Sequence, residues 1–449
     1  MPTDLHKVIT FINLYKGELW KITIEKSGIL FSFKTPEKNE KNKTIRLNVN
    51  HDLIKLESFI NQEFGEIVYK YLKEYNIFHV FSRKNPNIYA LGIGNRKKDA
   101  HQLAILEYIE RLAAASKPEK LITGSYSALK SCYKLLDPKI LGVYDTEIAL
   151  KNNLNPYHHS LEIEWVSANS LKENTAVLIP LQCAYYLVEN VLNRYVFENS
   201  NGCALGNTTD EATLFALQEA VERIVFLDFW FNDGQSIKVN NHFLLRPYTL
   251  HMTYLKLFNF HLKFYNIKNK IGVYVIWCVI HDENYNSFTG LGSSFQAKKS
   301  MESSFKEAFG AFNEHKESFD NLEDMEFIDE PIDHIRFFHT SKGRNIIKNK
   351  ILSNNTLKDE IIIDEEDPNI ETNIEVQIDF LRKKILKCFE DIIILNLSDS
   401  KLSKVNLFCV KVIIIGAPLL DFTSNFIRVN GTVINDLNKH DVNNIHPLS

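Results

Sequence analysis

The spacing of apolar positions changes several times along the chain, and each change marks an element. Residues 20–24 and 29–33 alternate apolar and polar around a Lys-Ser-Gly turn, which predicts a hairpin. Leu53, Leu56, Ile60, Phe64, Ile67, Val68 and Leu72 recur at helical spacing behind Asp52 as N-cap, which predicts one helix over 52–75. Residues 78–94 read as strands, 99–116 as a helix, 120–200 as loops and strands, and 212–231 as a second helix. Residues 272–280 read as a buried strand, 300–316 as a third helix and 405–415 as a late strand. The apolar run 176–188 holds Pro180 and Gln182, is too short to span a bilayer, and is read as a buried strand pair. Strands alternating with helices predict an α/β or α+β fold. Residues 1–76 are expected to form a small accessory segment ahead of a main domain over 77–449, with an acidic surface excursion at about 354–376.

Composition narrows the function more than the fold. The 449 residues carry 52 Lys and Arg against 56 Asp and Glu, a net charge of −4. Without a basic excess, nucleic acid is not an expected partner, and no polybasic stretch points to a membrane surface. The six cysteines are scattered singly with no CxxC, which suits reduced thiols better than a zinc ribbon. Charges run through the first thirty residues, so no secretory segment is read there. The expected location is the cytoplasm.

The strongest pattern is internal. Gly94-Asn95, Ala100, Ala104, Glu107 and Glu110-Arg111 recur as Gly206-Asn207, Ala212, Ala216, Glu219 and Glu222-Arg223, each pair 112 residues apart. A worn third copy follows as Gly292, Ser300, Ser304 and Glu307, with Gly310 and Ala311 where the second glutamate and the arginine would stand. This predicts a duplicated strand–turn–helix unit. Within ExxER the two glutamates share one helix face. Glu211, eight residues before Glu219, lies on a neighbouring face.

Two readings are open for these residues. One is a solvated face with Glu107–Arg111 and Glu219–Arg223 as ion pairs one turn apart, worth about 0.2–0.5 kcal/mol each. The other starts from LAILEYIERLAAA and AVERIVFLDFW, which are apolar on most sides and so belong inside the protein. Buried carboxylates in clusters need cations, Mg2+ takes oxygen ligands, and arginines suit phosphate oxygens. No GxxxxGK[ST] phosphate loop occurs.

The segments GIGNRKKDAHQLAILEYIERLAA, SNGCALGNTTDEATLFALQEAVERIVFLDFW and VKVIIIGAPLLDF resemble the YcaO superfamily over roughly 80–449. That family is marked by an SxxExxER helix, a second helix with ExxxxxxxExxER and a third with ExxQ. The resemblance implies a YcaO-like fold, with duplicated units around a central ATP site. It implies an ATP- and Mg2+-dependent enzyme that phosphorylates a peptide-bond oxygen, closing Cys, Ser or Thr onto the preceding amide as a thiazoline or oxazoline. Carried over by position, Glu107, Glu110, Glu211, Glu219, Glu222 and Glu307 are the implied metal ligands. Glu107, Glu110, Asn207, Glu219, Arg223 and Glu307 are implied at the nucleotide, with Ser82 and Lys84 as further phosphate contacts. Arg111 and Arg223 are implied in the reaction itself, and Asn201 and Asn207 can equally be turn formers.

Three positions depart from the family pattern: Ala104 replaces the serine of the first motif, Gly310 the glutamine of ExxQ, and Ser303 a common arginine. These leave open a degenerate, non-catalytic partner protein, and thioamide formation is a further alternative. The proline-rich tail of azoline-forming members is reduced to Pro447 beside His446. His446 or the terminal carboxylate can reach the site, but a frayed tail is expected. The implied partners are a ribosomally made precursor peptide and a separate leader-binding protein, because residues 1–80 look too short for a fused capture module. A flavin-dependent dehydrogenase can act afterwards, and a homodimer is compatible.

Overall fold

The structure is a computed structural model that describes residues 7–13, 18–25, 28–31, 53–83, 87–232, 234–240, 242–316, 331–355, 360–361, 373–418, 420 and 445–448. Lys84 and most of the acidic stretch 354–376 lie outside the described residues. The front segment is an antiparallel sheet of β1 (Lys7–Asn13), β2 (Glu18–Glu25) and β3 (Gly28–Phe31), followed by helix α1 (Leu53–Glu63). The expected hairpin is β2–β3, paired Ile24 to Ile29.

The helix expected over 52–75 ends twelve residues early. Gly65, at φ 101°, breaks it, and Asn61 Oδ1 accepts the N–H of Ile67 at 2.9 Å. Ile67–Leu72 then forms β4, because Ile, Val and Tyr fit a pleated half-buried surface. β4 pairs with β5 (Ile77–Ser82), which pairs with β6 (Tyr89–Ile93). Helix α2 (Lys97–Ala115) packs on β6 and β5.

A second sheet runs β10-β17-β16-β8-β7, with β9 on β8. Its strands are β7 (Ile122–Ser125), β8 (Glu162–Ser170), β9 (Thr175–Pro180), β10 (Cys203–Gly206), β16 (Asp391–Asn396) and β17 (Phe408–Ile415). The run 176–188 is therefore one strand rather than two: after Pro180 the chain makes a single helical turn, Leu181–Ala184. Helix α3 (Thr209–Phe231) follows β10, started by the Thr208 hydroxyl accepting from the Glu211 N–H.

The third sheet runs β14-β13-β12-β11-β15, made of β11 (Ser236–Val239), β12 (His261–Ile267), β13 (Tyr274–His281), β14 (Ser287–Ser294) and β15 (Glu360–Ile361). Helix α4 (Thr249–Leu257) precedes β12, and α5 (Ala297–His315) lies across β14 and β13. Helices α6 (Pro331–Phe337), α7 (Ser341–Asn355) and α8 (Ile374–Ile385) complete the described chain. Apart from the parallel pair β11–β15, the sheets are antiparallel, which is the α+β form of the expectation. Among the described residues no helix is long and apolar enough to cross a membrane.

The end of α3 is fixed by aromatic packing. The Phe226 and Trp230 rings stack at 5.7 Å, and Trp230 meets Trp277 of β13 edge-on at 6.0 Å. Truncating one such buried ring costs about 3–5 kcal/mol. The C-terminal tail docks here rather than fraying. Trp230 Nε1 donates to Ile445 O at 2.8 Å and Thr289 Oγ1 donates to Pro447 O at 2.6 Å. His334 of α6 bonds His446 O at 2.9 Å, and the two imidazoles stack at 4.4 Å.

Burial lowers the pKa of His251, His281 and His339 to about 4. Below pH 6.5 the unfolded chain takes up protons that these folded rings refuse, so their contribution to stability holds above pH 6.5 and is lost as pH falls toward 4. His251 sits against Phe305 and Phe309 and bonds Tyr75 O at 2.8 Å. His251→Phe is expected to lower Tm at pH 7.5 but to lose less Tm than the wild type between pH 7 and pH 5. Parallel pH slopes in thermal melts would show that His251 does not carry this term.

Candidate functional site

Three strand–turn–helix units meet in the interior: β6–α2, β10–α3 and β14–α5. In each, glycine lets helix and strand touch. A Cβ at Gly92 would lie 1.9 Å from Ala100 O and 2.4 Å from Ala104 N. At Gly292 it would lie 2.1 Å from Ser300 O and 2.8 Å from Ser304 N, the same relation 200 residues later. At Gly206 it would lie 2.4 Å from Ala212 N. This packing also accounts for Ala104, which is fully buried against its own strand, while the equivalent Ser304 hydroxyl is turned back onto Met301 O at 3.0 Å.

The glutamates fall into distinct environments. Glu107 accepts from Arg111 at 2.8 Å, one turn along α2, with the two side chains 30% and 36% exposed. Arg111 also donates to Tyr89 O at 2.8 Å and lies 5.3 Å from the Tyr89 ring centre. The ion pair expected one turn apart on α3 is not the one found. Arg223 instead crosses to Glu307 of α5, at 3.3 Å. The other Glu307 oxygen accepts the Leu291 N–H of β14 at 2.6 Å. Glu110 accepts the Leu205 N–H of β10 at 2.8 Å, and Glu222 lies beside the Ser293 backbone of β14.

These carboxylates feel one another. Burial, then the charges of Glu307 and Glu219, push Glu222 up to about 8 against the pull of Arg223. Burial, with the charges of Glu219 and Glu110 acting in the same sense, raises the Cys203 thiol to about 12, so it is inert. Arg223 Nη1 is buried with no hydrogen-bond partner. Among the described residues no group of three or more His, Cys, Asp or Glu side chains is spaced to hold an ion as it stands.

The remaining sequence candidates are spread around this centre. Glu211 is buried at the start of α3, where its carboxylate accepts the Asn207 N–H at 2.6 Å and the Asn207 side-chain amide at 2.8 Å. Both residues thus build the turn. Ser82 is buried at the end of β5 against the Tyr108 phenol. His446 is buried against His334, as described above. Ser303 is exposed.

Sequence reasoning missed Tyr186 and Glu314. Tyr186 lies within electrostatic reach of Arg111, Glu107 and Glu110, on a loop that no periodicity marks. Glu314 is raised by burial and by the Glu107 charge, and pairs with His79 of β5 at 3.5 Å. Its signal was present: it follows Glu307 by seven residues, two helical turns on the same face of α5.

Comparison with known proteins adds a family. The family model described as "YcaO cyclodehydratase, ATP- and Mg2+-binding" matches residues 91–417. An uncharacterized protein of Methanothermobacter thermautotrophicus is 28% identical over 157 residues, 34% of this chain and 37% of that protein. A heterocyclase solved in complex with substrate and cofactor superposes with TM-score 0.62 at 15% identity, over 80% of this chain and 52% of its own. YcaO from Methanopyrus kandleri bound with AMPPCP and Mg2+ gives TM-score 0.58 at 17% identity, over 81% and 89%. The E. coli microcin synthetase McbBCD complex with pro-MccB17 bound gives 0.57 at 13%, over 83% and 94%. The match thus spans about a third of the archaeal relative and half of the heterocyclase.

Burial and the neighbouring carboxylates raise Glu222 to about 8, so an ion bound beside it would have to displace a proton. Mg2+ affinity, read by calorimetry, is therefore expected to rise by up to about tenfold per pH unit between pH 6 and 8 and to level off above. A flat profile over that range would mean that Glu222 does not face the ion.

Proposed function

Because the chain belongs to the YcaO family, we propose that it is an ATP- and Mg2+-dependent cyclodehydratase acting on Cys, Ser or Thr residues of a ribosomally made precursor peptide. The observation that carries this reading is the gathering of partly to fully buried glutamates and arginines from α2, α3 and α5 where the three units meet. The donors suit these cofactors. They are carboxylate oxygens, the choice of a hard cation, and Arg223 keeps a buried N–H free for a phosphate oxygen.

Bound there, ATP and Mg2+ supply the phosphoryl group and the positive charge that turn an amide oxygen into a leaving group. Glu107, Glu219 and Glu307 would hold the ion. Glu107 and Glu307 then give up their arginines, which leaves Arg111 and Arg223 to face the phosphates. The peptide thiol or hydroxyl attacks the preceding carbonyl carbon and loses its proton. The carbonyl oxygen would accept the γ-phosphoryl group as its bond to the β-phosphate oxygen breaks, with ADP as the leaving group. Phosphate leaves as the amide nitrogen gives up its proton, for a net loss of one water. No protein nucleophile is needed, so the chain contributes positioning and charge.

The three departures do not argue for an inert partner. Position 104 is a packing position against Gly92, position 303 is exposed, and position 310 packs against β6. The precursor and a separate leader-binding protein remain the partners of this reading, in line with a relative solved as a multi-protein synthetase complex.

Calorimetry with Mg2+ and AMPPNP is expected to give binding to the wild-type chain. Glu219→Gln and Arg223→Met should each weaken it by roughly 10–100-fold. With precursor present, the product should lose one water per modified residue. Exchange of oxygen for sulfur would assign thioamidation instead, and an absence of nucleotide binding would remove the enzyme reading altogether.

A further inference from the structure

Asparagine holds seven of the nine positive-φ positions that are not glycine among the described residues. Its short amide bonds the local backbone, so the left-handed region costs it little. The two exceptions are Tyr285, in the turn between β13 and β14, and Leu187, at φ 54°. A bulky side chain in that region is strained, and the strain persists only where neighbours impose it. Around Leu187 they do. Tyr185 and Val188 are buried on either side. The Tyr185 N–H donates to Leu181 O at 2.9 Å, the Tyr186 N–H to Ala114 O at 3.1 Å, and Arg194 Nη2 to Val188 O at 2.9 Å. Farther along, the buried Gln182 amide donates to Leu192 O at 3.2 Å and accepts the Tyr195 N–H at 2.9 Å. A fixed loop therefore turns Leu187 outward, 49% exposed. Packing gains little from a leucine placed that way, and asparagine would fit the backbone better.

The loop borders the candidate site. Ala114 follows Glu107 by seven residues, two turns along the same face of α2. Tyr186, the neighbour of Leu187, lies within electrostatic reach of Arg111, Glu107 and Glu110. Tyr89 also stands beside Arg111, its ring centre 5.3 Å from the guanidinium, and is half exposed. Two outward apolar side chains, Tyr89 and Leu187, thus sit at the edge of a charged centre. We propose that Leu187 is a specificity-determining residue: it receives an apolar side chain of the peptide substrate, next to the Cys, Ser or Thr that is modified. This inference rests on the peptide reading proposed above. The rim joins the centre through Tyr186 and Arg111, so a peptide whose amide lies at the phosphates has its neighbouring residues within reach of Leu187. Leucine at this position is kept for contact with substrate, at a cost to the loop.

The probes are two capped pentapeptides, Ac-Gly-Leu-Cys-Leu-Gly-NH2 and Ac-Gly-Gly-Cys-Gly-Gly-NH2, titrated by NMR against the full chain with Mg2+ and AMPPNP. The wild type should bind the leucine peptide roughly 3–10-fold more tightly than the glycine peptide. Leu187→Asn should bring that ratio to about one. The variant should melt no lower than wild type, because asparagine suits the left-handed backbone. An unchanged ratio in Leu187→Asn, or no preference in the wild type, overturns the proposal. A variant that fails to fold or melts several degrees lower makes Leu187 a packing residue and overturns it as well. Loss of AMPPNP affinity with the peptide ratio intact would give the rim to the nucleotide base instead. Calorimetry of the wild type with Mg2+ and AMPPNP reports the functional reading separately. Nucleotide binding without a peptide preference sinks this inference alone, and a peptide preference without nucleotide binding removes the enzyme reading and leaves the rim standing.

Discussion

Three sheet edges end in the middle of this protein, and their unpaired N–H groups set the terms for what surrounds them. Among the described residues no further strand pairs with them. The chain answers with carboxylates: Glu110 for Leu205 and Glu307 for Leu291. The need to satisfy backbone donors thus brings acidic side chains from separate helices into one interior region. Once there, they lose water and repel one another, and burial first, then the charges of Glu307 and Glu219, raise the Glu222 carboxyl above the usual carboxylate range.

On the function proposed above, that same crowding is what the cofactors relieve. A carboxylate-rich interior is costly as it stands, and a hard cation with a polyanionic nucleotide relieves it. The arginines take part in both states. Arg111 and Arg223 pair with Glu107 and Glu307, and on the function proposed above each would exchange its carboxylate for a phosphate. One set of residues would then serve both structure and chemistry, with glycines at 92, 206 and 292 allowing the helices to come close enough.

Much of this was legible in the sequence because the repeat keeps its spacing. The GN turns, the helices that follow them and the third copy at Gly292 could be read from residue offsets alone, and the helix bounds came out within three residues. Offsets do not say where a long side chain turns. Arg223 crosses to another helix rather than pairing along its own, and Glu211 bonds the Asn207 turn. Local pattern also failed where one residue overrules it. Gly65 ends a helix whose apolar spacing continues into β4, and Trp230, Thr289 and His334 hold a tail that sequence alone reads as frayed. Tyr186 and Glu314 reach the site only through tertiary contact.

The most direct measurement is a crystal structure of the full chain with Mg2+ and AMPPNP. The account predicts the triphosphate between α2, α3 and α5, with Glu107 and Glu307 released from Arg111 and Arg223 and the two arginines turned onto phosphate oxygens. A nucleotide bound elsewhere, with those two ion pairs intact, would contradict it.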